Sequence, residues 1–472
     1  MKKFALLAAG LLSACTVGPN YVQPTPPPKA AGPFVDPGTA RVSTAPVEGE
    51  WWKLFRDPAL DRLIADALAH NTDVRVAAAN LKRARAVVSE ARTQRLPTTQ
   101  LSGSYTRERV GSTPGVPAAG AQEFDYFNTG FDASYEIDLF GRVTRSIEAA
   151  RGDAESAAAA LDAARVAVAA ETARTYAQAC GLAAQANVAR DTAQLQASTR
   201  DLTKRLFGAG RGTQRDVDQS NVLYENAQAQ VPAFEAERRA ALYALATLTG
   251  RPPAEIDAAA AACTTPPAVG TLIPVGDGAA LIARRPDVRQ AERTLAADTA
   301  RIGVATADLF PSIKLLGSAS LGGTSIGDLG KSSSFSYSFG PLITWNFPNL
   351  GVARARIRQS KASADKSLAA FDGTLLTALK EVEQALARYA GELDRNASLH
   401  RAETSASDAA RIAGLRFEAG RDSLFQRIDA ERDRATARAA RAQSDAALAD
   451  AQVSLFKALG GGWEAAPEPT RR

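Results

Sequence analysis

From Phe127 to Leu139 the odd positions are Phe127, Thr129, Phe131, Ala133, Tyr135, Ile137 and Leu139, and the even ones are Asn128, Gly130, Asp132, Ser134, Glu136 and Asp138. A period of two predicts a β-strand with one apolar and one polar face. The preceding LSGSYTRERV alternates in the same phase, with Leu101, Gly103 and Tyr105 opposite Ser102, Ser104 and Thr106. The turn-rich VGSTPGVPAAGAQE between them makes the pair a long-looped hairpin. Later, SIKLLGSASLGG places Ile313, Leu315, Ala319 and Leu321 on odd positions, and SFSYSFGPLITWNF adds Phe335, Tyr337, Phe339, Ile343, Trp345 and Phe347. GTSIGDLGKSS links these two strands.

Everywhere else the pattern is helical. Leu60 to Arg95 reads as one helix closed by Pro97, and Val143 to Leu206 runs with almost no glycine and no proline. A helix of that length would be on the order of 95 Å long. LFGAGRGTQ breaks it, and a returning helix ends at Thr249 before GRPP. A second long helix is predicted from Val352 to about Phe417, broken by FEAGRDS where FGAGRGT broke the first. Along it Leu368, Phe371, Leu375, Leu379, Val382, Leu386, Tyr389 and Leu393 recur every three or four residues, a heptad seam for packing on neighbouring helices.

The two halves repeat one programme. RPDVRQAERTLAADTARIGVATADLFPSIKL from Arg285 aligns with NTDVRVAAANLKRARAVVSEARTQRLPTTQL from Asn71, and Asp287 answers Asp73 as Pro311 answers Pro97, each 214 positions on. The predicted organisation is a signal peptide over 1–14, an extended lipid-anchored tether over 15–50, a first repeat over 51–280 with its hairpin at 98–139, a second over 281–463 with its hairpin at 312–347, and a tail over 464–472.

Composition narrows the class. The chain has 472 residues, 45% hydrophobic content and a net charge of +5, with Lys and Arg interleaved with Asp and Glu as on solvated helix faces. That balance argues against a nucleic-acid partner. No apolar run approaches the roughly 18 residues of a spanning helix, so any membrane passage must use strands. His70 and His400 lie far apart, which argues against a histidine metal site. MKKFALLAAGLLSAC has the layout of an export signal, and Leu12, Ser13, Ala14 and Cys15 look like a lipobox whose cysteine carries a diacylglycerol and an N-acyl chain. Thr16 stands where Asp would signal inner-membrane retention, which implies sorting to the outer membrane. Of the two other cysteines, Cys180 reads as a small packing residue and Cys263 as part of a loop; a bond between them is open, and the expectation is that they stay unpaired.

Four strands impose a further condition. Each can supply the roughly 9 to 11 residues that a tilted strand needs to cross the hydrocarbon layer. In lipid every backbone N–H and C=O must be paired, so an open sheet would leave two edges unsatisfied at several kcal/mol per group. Several chains must then pool their hairpins, with the polar even faces around a water-filled lumen. A soluble sandwich would need a second layer, and the sequence offers no spare strands.

At this point the chain resembles the TolC-like outer membrane factors, in particular the NodT-type efflux lipoproteins. The matches are LSAC ending at Cys15, WWKLFRDPALDRLI from Trp51, SYEIDLFGR from Ser134, LIARRPDVRQAE from Leu281 and IGVATADLFPSIKL from Ile302. The resemblance implies a homotrimer, mainly α, with a twelve-stranded transmembrane β-barrel in the outer membrane continuing into a twelve-helix periplasmic α-barrel. It implies two protein partners, a periplasmic adaptor and an inner-membrane efflux pump of the RND type. It also puts a periplasmic gate at Phe425 and Asp429, with Gln426 and Arg427 departing from the more apolar run common in relatives. Gly210, Arg211, Gly420 and Arg421 would form the exposed turns that meet the adaptor.

No serine elbow, phosphate loop or acid-base carboxylate pair stands out, so the expectation is a duct without enzymatic chemistry or cofactor. The leading function is an exit duct for small toxic compounds or drugs. A duct for protein or peptide secretion shares the fold, and a non-channel adaptor lipoprotein is the alternative from another class. The single Met1 argues against a methionine ladder for soft metals.

Overall fold

The computed structural model describes residues 16–35, 42–47, 49–110 and 122–461. The expected signal peptide, Cys15 and the tail over 464–472 lie outside the described residues, as does most of the first hairpin's loop. The first repeat contains α1 (Pro58–His70), α2 (Thr72–Thr93), β1 (Thr98–Val110), β2 (Gln122–Ile137), α3 (Arg142–Gly208) and α4 (Gln214–Leu248). The second contains α5 (Gly278–Arg284), α6 (Pro286–Ala307), β3 (Ser312–Gly323), β4 (Phe335–Thr344), α7 (Gly351–Glu418) and α8 (Leu424–Ala458). The two long helices have 67 and 68 residues, and both returning helices have 35.

The chain divides into two compact units, and each takes material from both repeats. One holds the residues up to Pro24 with Leu81–Ala157 and Ala291–Phe371, and so contains all four long strands. There the strands form one antiparallel sheet in the order β1-β2-β3-β4. Val88, Ala91, Val143, Ile147 and Ala150 make a small core beside it. No helix among the described residues is long and apolar enough to cross a membrane.

The other unit holds Thr25–Asn80, Ala158–Gln290 and the chain from Asp372 onward. Its core is aromatic at one end: Trp51, 1% exposed, stacks on Phe456 at 4.9 Å, and Phe55 meets Phe456 edge-on at 6.2 Å. Leu60, Leu63, Ile64, Leu386, Leu455 and Leu459 close around them, each burial stabilising by about 1.5–3 kcal/mol. Ion pairs set the helix neighbours: Arg190 to Glu235 joins α3 to α4, Arg438 to Asp191 at 3.0 Å joins α8 to α3, and Arg441 to Glu403 at 3.0 Å joins α8 to α7. Much of the α7 heptad seam is core, with Val382, Leu386 and Tyr389 no more than 2% exposed.

Three expectations need correction. The helix expected over Leu60–Arg95 is two helices broken at Asn71, whose Oδ1 accepts from the Asp73 N–H at 2.8 Å while its Nδ2 donates to the Leu248 carbonyl at 3.0 Å. An asparagine at an N-cap starts a new helix rather than continuing the old one.

The segment expected to hang as a tether makes specific contacts. Phe34 and Val47 are buried in the core, Gly32 accepts from the Gly278 N–H, and Val42–Ser43 pairs in parallel with Ile273–Pro274.

Cys180 and Cys263, expected to stay unpaired, form a disulfide with Cα atoms 5.1 Å apart. The connector between the repeats folds back onto α3, where Cys180 is fully buried. Gln452 holds the same connector by accepting from the Val269 N–H and donating to its carbonyl, both at 3.0 Å.

Candidate pore lining and helix tips

The sheet register keeps parity throughout. Leu101 lies opposite Phe131, Phe131 opposite Ala319, and Ala319 opposite Tyr337, so odd positions of all four strands share one face. That face is apolar and uncovered: Leu101 is 80% exposed, Tyr337 and Phe339 are both 77%, and Ile343 is 63%. Exposed aromatic and aliphatic side chains in such density are the mark of a surface meant for another apolar phase. The band has a boundary, since at the far end of the first hairpin the odd face turns polar, with Tyr105 donating to Asp125 at 2.9 Å and Arg107 to Glu123 at 3.1 Å.

The even face is lined by hydroxyls. Ser318 meets Ser338 at 2.9 Å, Ser320 meets Ser336 at 2.8 Å, and Ser312 meets Thr344 at 2.6 Å. Phe124, Tyr126, Leu316 and Leu342 fall on even positions and interrupt this lining, which the alternation in the sequence already contained. At the base, Arg142 forms a two-pronged pair with Glu136 at 2.7 and 2.8 Å, and Asp138 caps α3 by accepting from the Val143 and Thr144 N–H groups. Among the described residues β1 and β4 each have one neighbour in the sheet, so each presents an outer edge of backbone groups with no strand against it.

The glycine breaks are matching turns. Gly210 and Gly420 both have φ +69, the left-handed region that glycine reaches without penalty. Each sits in the same pair of crossed bonds: Gly210 N–H to Phe207 and Arg211 N–H to Leu206 in the first, Gly420 N–H to Phe417 and Arg421 N–H to Arg416 in the second. All four residues are exposed.

Each returning helix is then capped reciprocally, Thr213 with Asp216 and Ser423 with Gln426. The backbone and hydroxyl of Thr213 hold the Asp216 carboxyl below its usual range.

Phe425 and Asp429 occupy the first turns of α8. Phe425 is 67% exposed, with no aromatic contact among the described residues. Asp429 is paired with Arg432 at 2.6 Å, a partner that pattern reading missed although the i, i+3 spacing was readable. Arg427 lies over the Phe417 ring at 5.2 Å, which ties the departing residue back to the end of α7. His70 and His400 contact the Asp66 carbonyl and the Asp445 carboxylate, and no cluster of metal-binding side chains occurs among the described residues.

Comparison with known proteins agrees with this geometry. Residues 63–251 and 279–461 match the model of the outer membrane efflux proteins, one match in each repeat. Nodulation protein T of Rhizobium leguminosarum bv. trifolii is 31% identical over 96% of both chains. Outer membrane protein OprJ of Pseudomonas aeruginosa is 31% identical over 98% of this chain and 95% of its own. The outer-membrane channel OprN superimposes with a TM-score of 0.89 at 35% identity, covering 95% of this chain and all of that one. On these matches the chain belongs to the outer membrane efflux protein family.

Proposed function

We propose that the chain is the outer-membrane exit duct of a tripartite efflux system, passing small toxic compounds or drugs to the exterior. One observation carries the reading: a four-stranded sheet whose odd face is bare and apolar, whose even face carries hydroxyls, and whose two edges are unpaired. In lipid, closure is the only arrangement that satisfies such edges, and one copy is too small to close. Three copies would give a twelve-stranded barrel in the outer membrane, with the helices as a twelve-helix tunnel in the periplasm and acylated Cys15 as an added anchor. The names of the relatives support the assignment, since one is described as a probable efflux pump outer membrane protein and another as an antibiotic efflux pump outer membrane protein.

In this reading the inner-membrane pump, of the RND type, supplies energy and choice of substrate, and a periplasmic adaptor meets the turns at Gly210, Arg211, Gly420 and Arg421. The protein does no chemistry and holds no cofactor. Control lies at Phe425 and Asp429, where three rings narrow the passage and three carboxylates attract cations and repel one another. The pair to Arg432 lies within one turn of α8, so it orients the Asp429 carboxylate and offsets part of the charge that it presents to the passage. Asp429→Ala should raise single-channel conductance in planar bilayers and lower cation preference, and unchanged currents would remove Asp429 from the gate.

A further inference from the structure

The first described residues are bound by a built socket rather than lying loosely on the surface. Arg145 on α3 is only 4% exposed, and its guanidinium is divided among four acceptors: the carbonyls of Val17 at 3.2 Å and Gly18 at 3.4 Å, Asn20 Oδ1 at 2.7 Å, and Glu148 at 2.8 Å. The Val17 N–H donates to the Phe140 carbonyl at 3.2 Å, at the junction between β2 and α3. Gly18, at φ +90, lies against Gly303 of α6 so closely that a Cβ there would come within 2.4 Å of the Gly303 Cα. Tyr21 donates to Glu292, itself 4% exposed and also held by Arg293. A buried guanidinium needs its acceptors, so the peptide completes the socket as much as the socket holds the peptide.

We propose that Arg145 is the positioning residue for the amino-terminal membrane anchor. By holding Val17, Gly18 and Asn20 it anchors the chain at the second residue after Cys15, and the covalent reach from there is at most about 3.8 Å per residue. That delivers an attached acyl chain to a lipid surface at the base of the strands, beside the Phe140–Phe310 stack. The same segment bridges the repeats, Val17, Gly18 and Asn20 touching Phe140 and Arg145 of the first while Tyr21 and Gly18 touch Glu292 and Gly303 of the second. The placement of the lipid rests on the reading that Cys15 is acylated; the socket does not.

The test uses full-length protein purified in detergent. Hydrogen exchange over residues 16–21 is read in wild type, Arg145→Met, Arg145→Lys, Asn20→Ala and Cys15→Ser, and the mass of the amino-terminal peptide reports acylation. The Val17 amide should be protected in wild type and equally in Cys15→Ser. It should exchange at least tenfold faster in Arg145→Met, and to an intermediate degree in Arg145→Lys and Asn20→Ala, with the strands and long helices unchanged. Asn20 is exposed, so its variant is read even if Arg145→Met does not fold. Exchange at Val17 that is fast in wild type, or unmoved in both Arg145→Met and Asn20→Ala, overturns the socket. An unacylated terminus with Val17 still protected overturns only the lipid placement.

Discussion

The two repeats have matching helical hairpins and different fastenings. Their returning helices are both 35 residues long, their tips turn on Gly210 and Gly420, and their far ends turn on Gly250 and Gly460, all at φ between +69 and +72. What holds each far end differs. In the first repeat Asn71 donates to the Leu248 carbonyl; in the second the corresponding residue is Arg285, and it donates to the corresponding carbonyl, that of Ala458, at 2.8 Å. Arg285 also pairs with Asp287 at 2.6 Å and Glu381 at 2.8 Å, so a neutral amide donor has been replaced by a buried guanidinium shared with two partly exposed carboxylates. The duplication has kept the acceptor and the geometry while the donor changed. Geometry is thus set by the helices and turns, and the chemistry that fastens them can vary.

This comparison predicts unequal costs. Arg285→Met leaves a carbonyl and two carboxylates without their donor; since both carboxylates are partly exposed, the expected loss is about 2–3 kcal/mol rather than the full cost of a buried charge. Asn71→Ala should cost less, about 1–2 kcal/mol, the worth of a cap and one neutral hydrogen bond. Urea unfolding of the detergent-solubilised protein, followed by helical circular dichroism, checks both. Equal losses would mean that the ionic cluster adds nothing to the amide it replaces.

The tips should behave alike. Gly210→Ala and Gly420→Ala have open space for the added carbon, so each should lose about 1 kcal/mol from the left-handed backbone alone. Thermal midpoints that differ between the two variants would break the equivalence of the turns.

The smallest effect separates the caps. Asp216 titrates and Gln426 does not, and the folded-state pKa of Asp216 is depressed. Its contribution is therefore complete above the unfolded value of about 4 and fades as pH falls through the folded one. Amide protection at residues 214–217, corrected for intrinsic exchange rates, should weaken below about pH 4 while that at 424–427 does not. Parallel loss at both tips would show that Asp216 is not what titrates.

Much of this was legible in the chain. Parity of the four strands was readable because alternation is a local property, and the register then placed every odd position on one face. The ends of the long helices came within one or two residues, since glycine at a left-handed turn is a strong stop. Asn71-Thr72-Asp73 and Arg285-Pro286 carried start signals for new helices, which the surrounding apolar pattern masked. The bond between Cys180 and Cys263 was not legible, because no spacing rule connects residues 83 apart. Phe34 and Val47 were hidden by a Pro- and Gly-rich neighbourhood whose composition suits a tether. For the gate, Asp429 and Arg432 were close enough in sequence to pair, yet the proposed gate needs three-fold surroundings that a single chain does not contain.

The most direct test of the central claim is the mass of the intact, detergent-solubilised complex by native mass spectrometry. The bare apolar sheet face requires several chains to pool their strands, and the proposed twelve-stranded barrel predicts one species of three chains, stable while detergent covers the odd face. A monomer that stays soluble without detergent once its amino-terminal anchor is removed would contradict it.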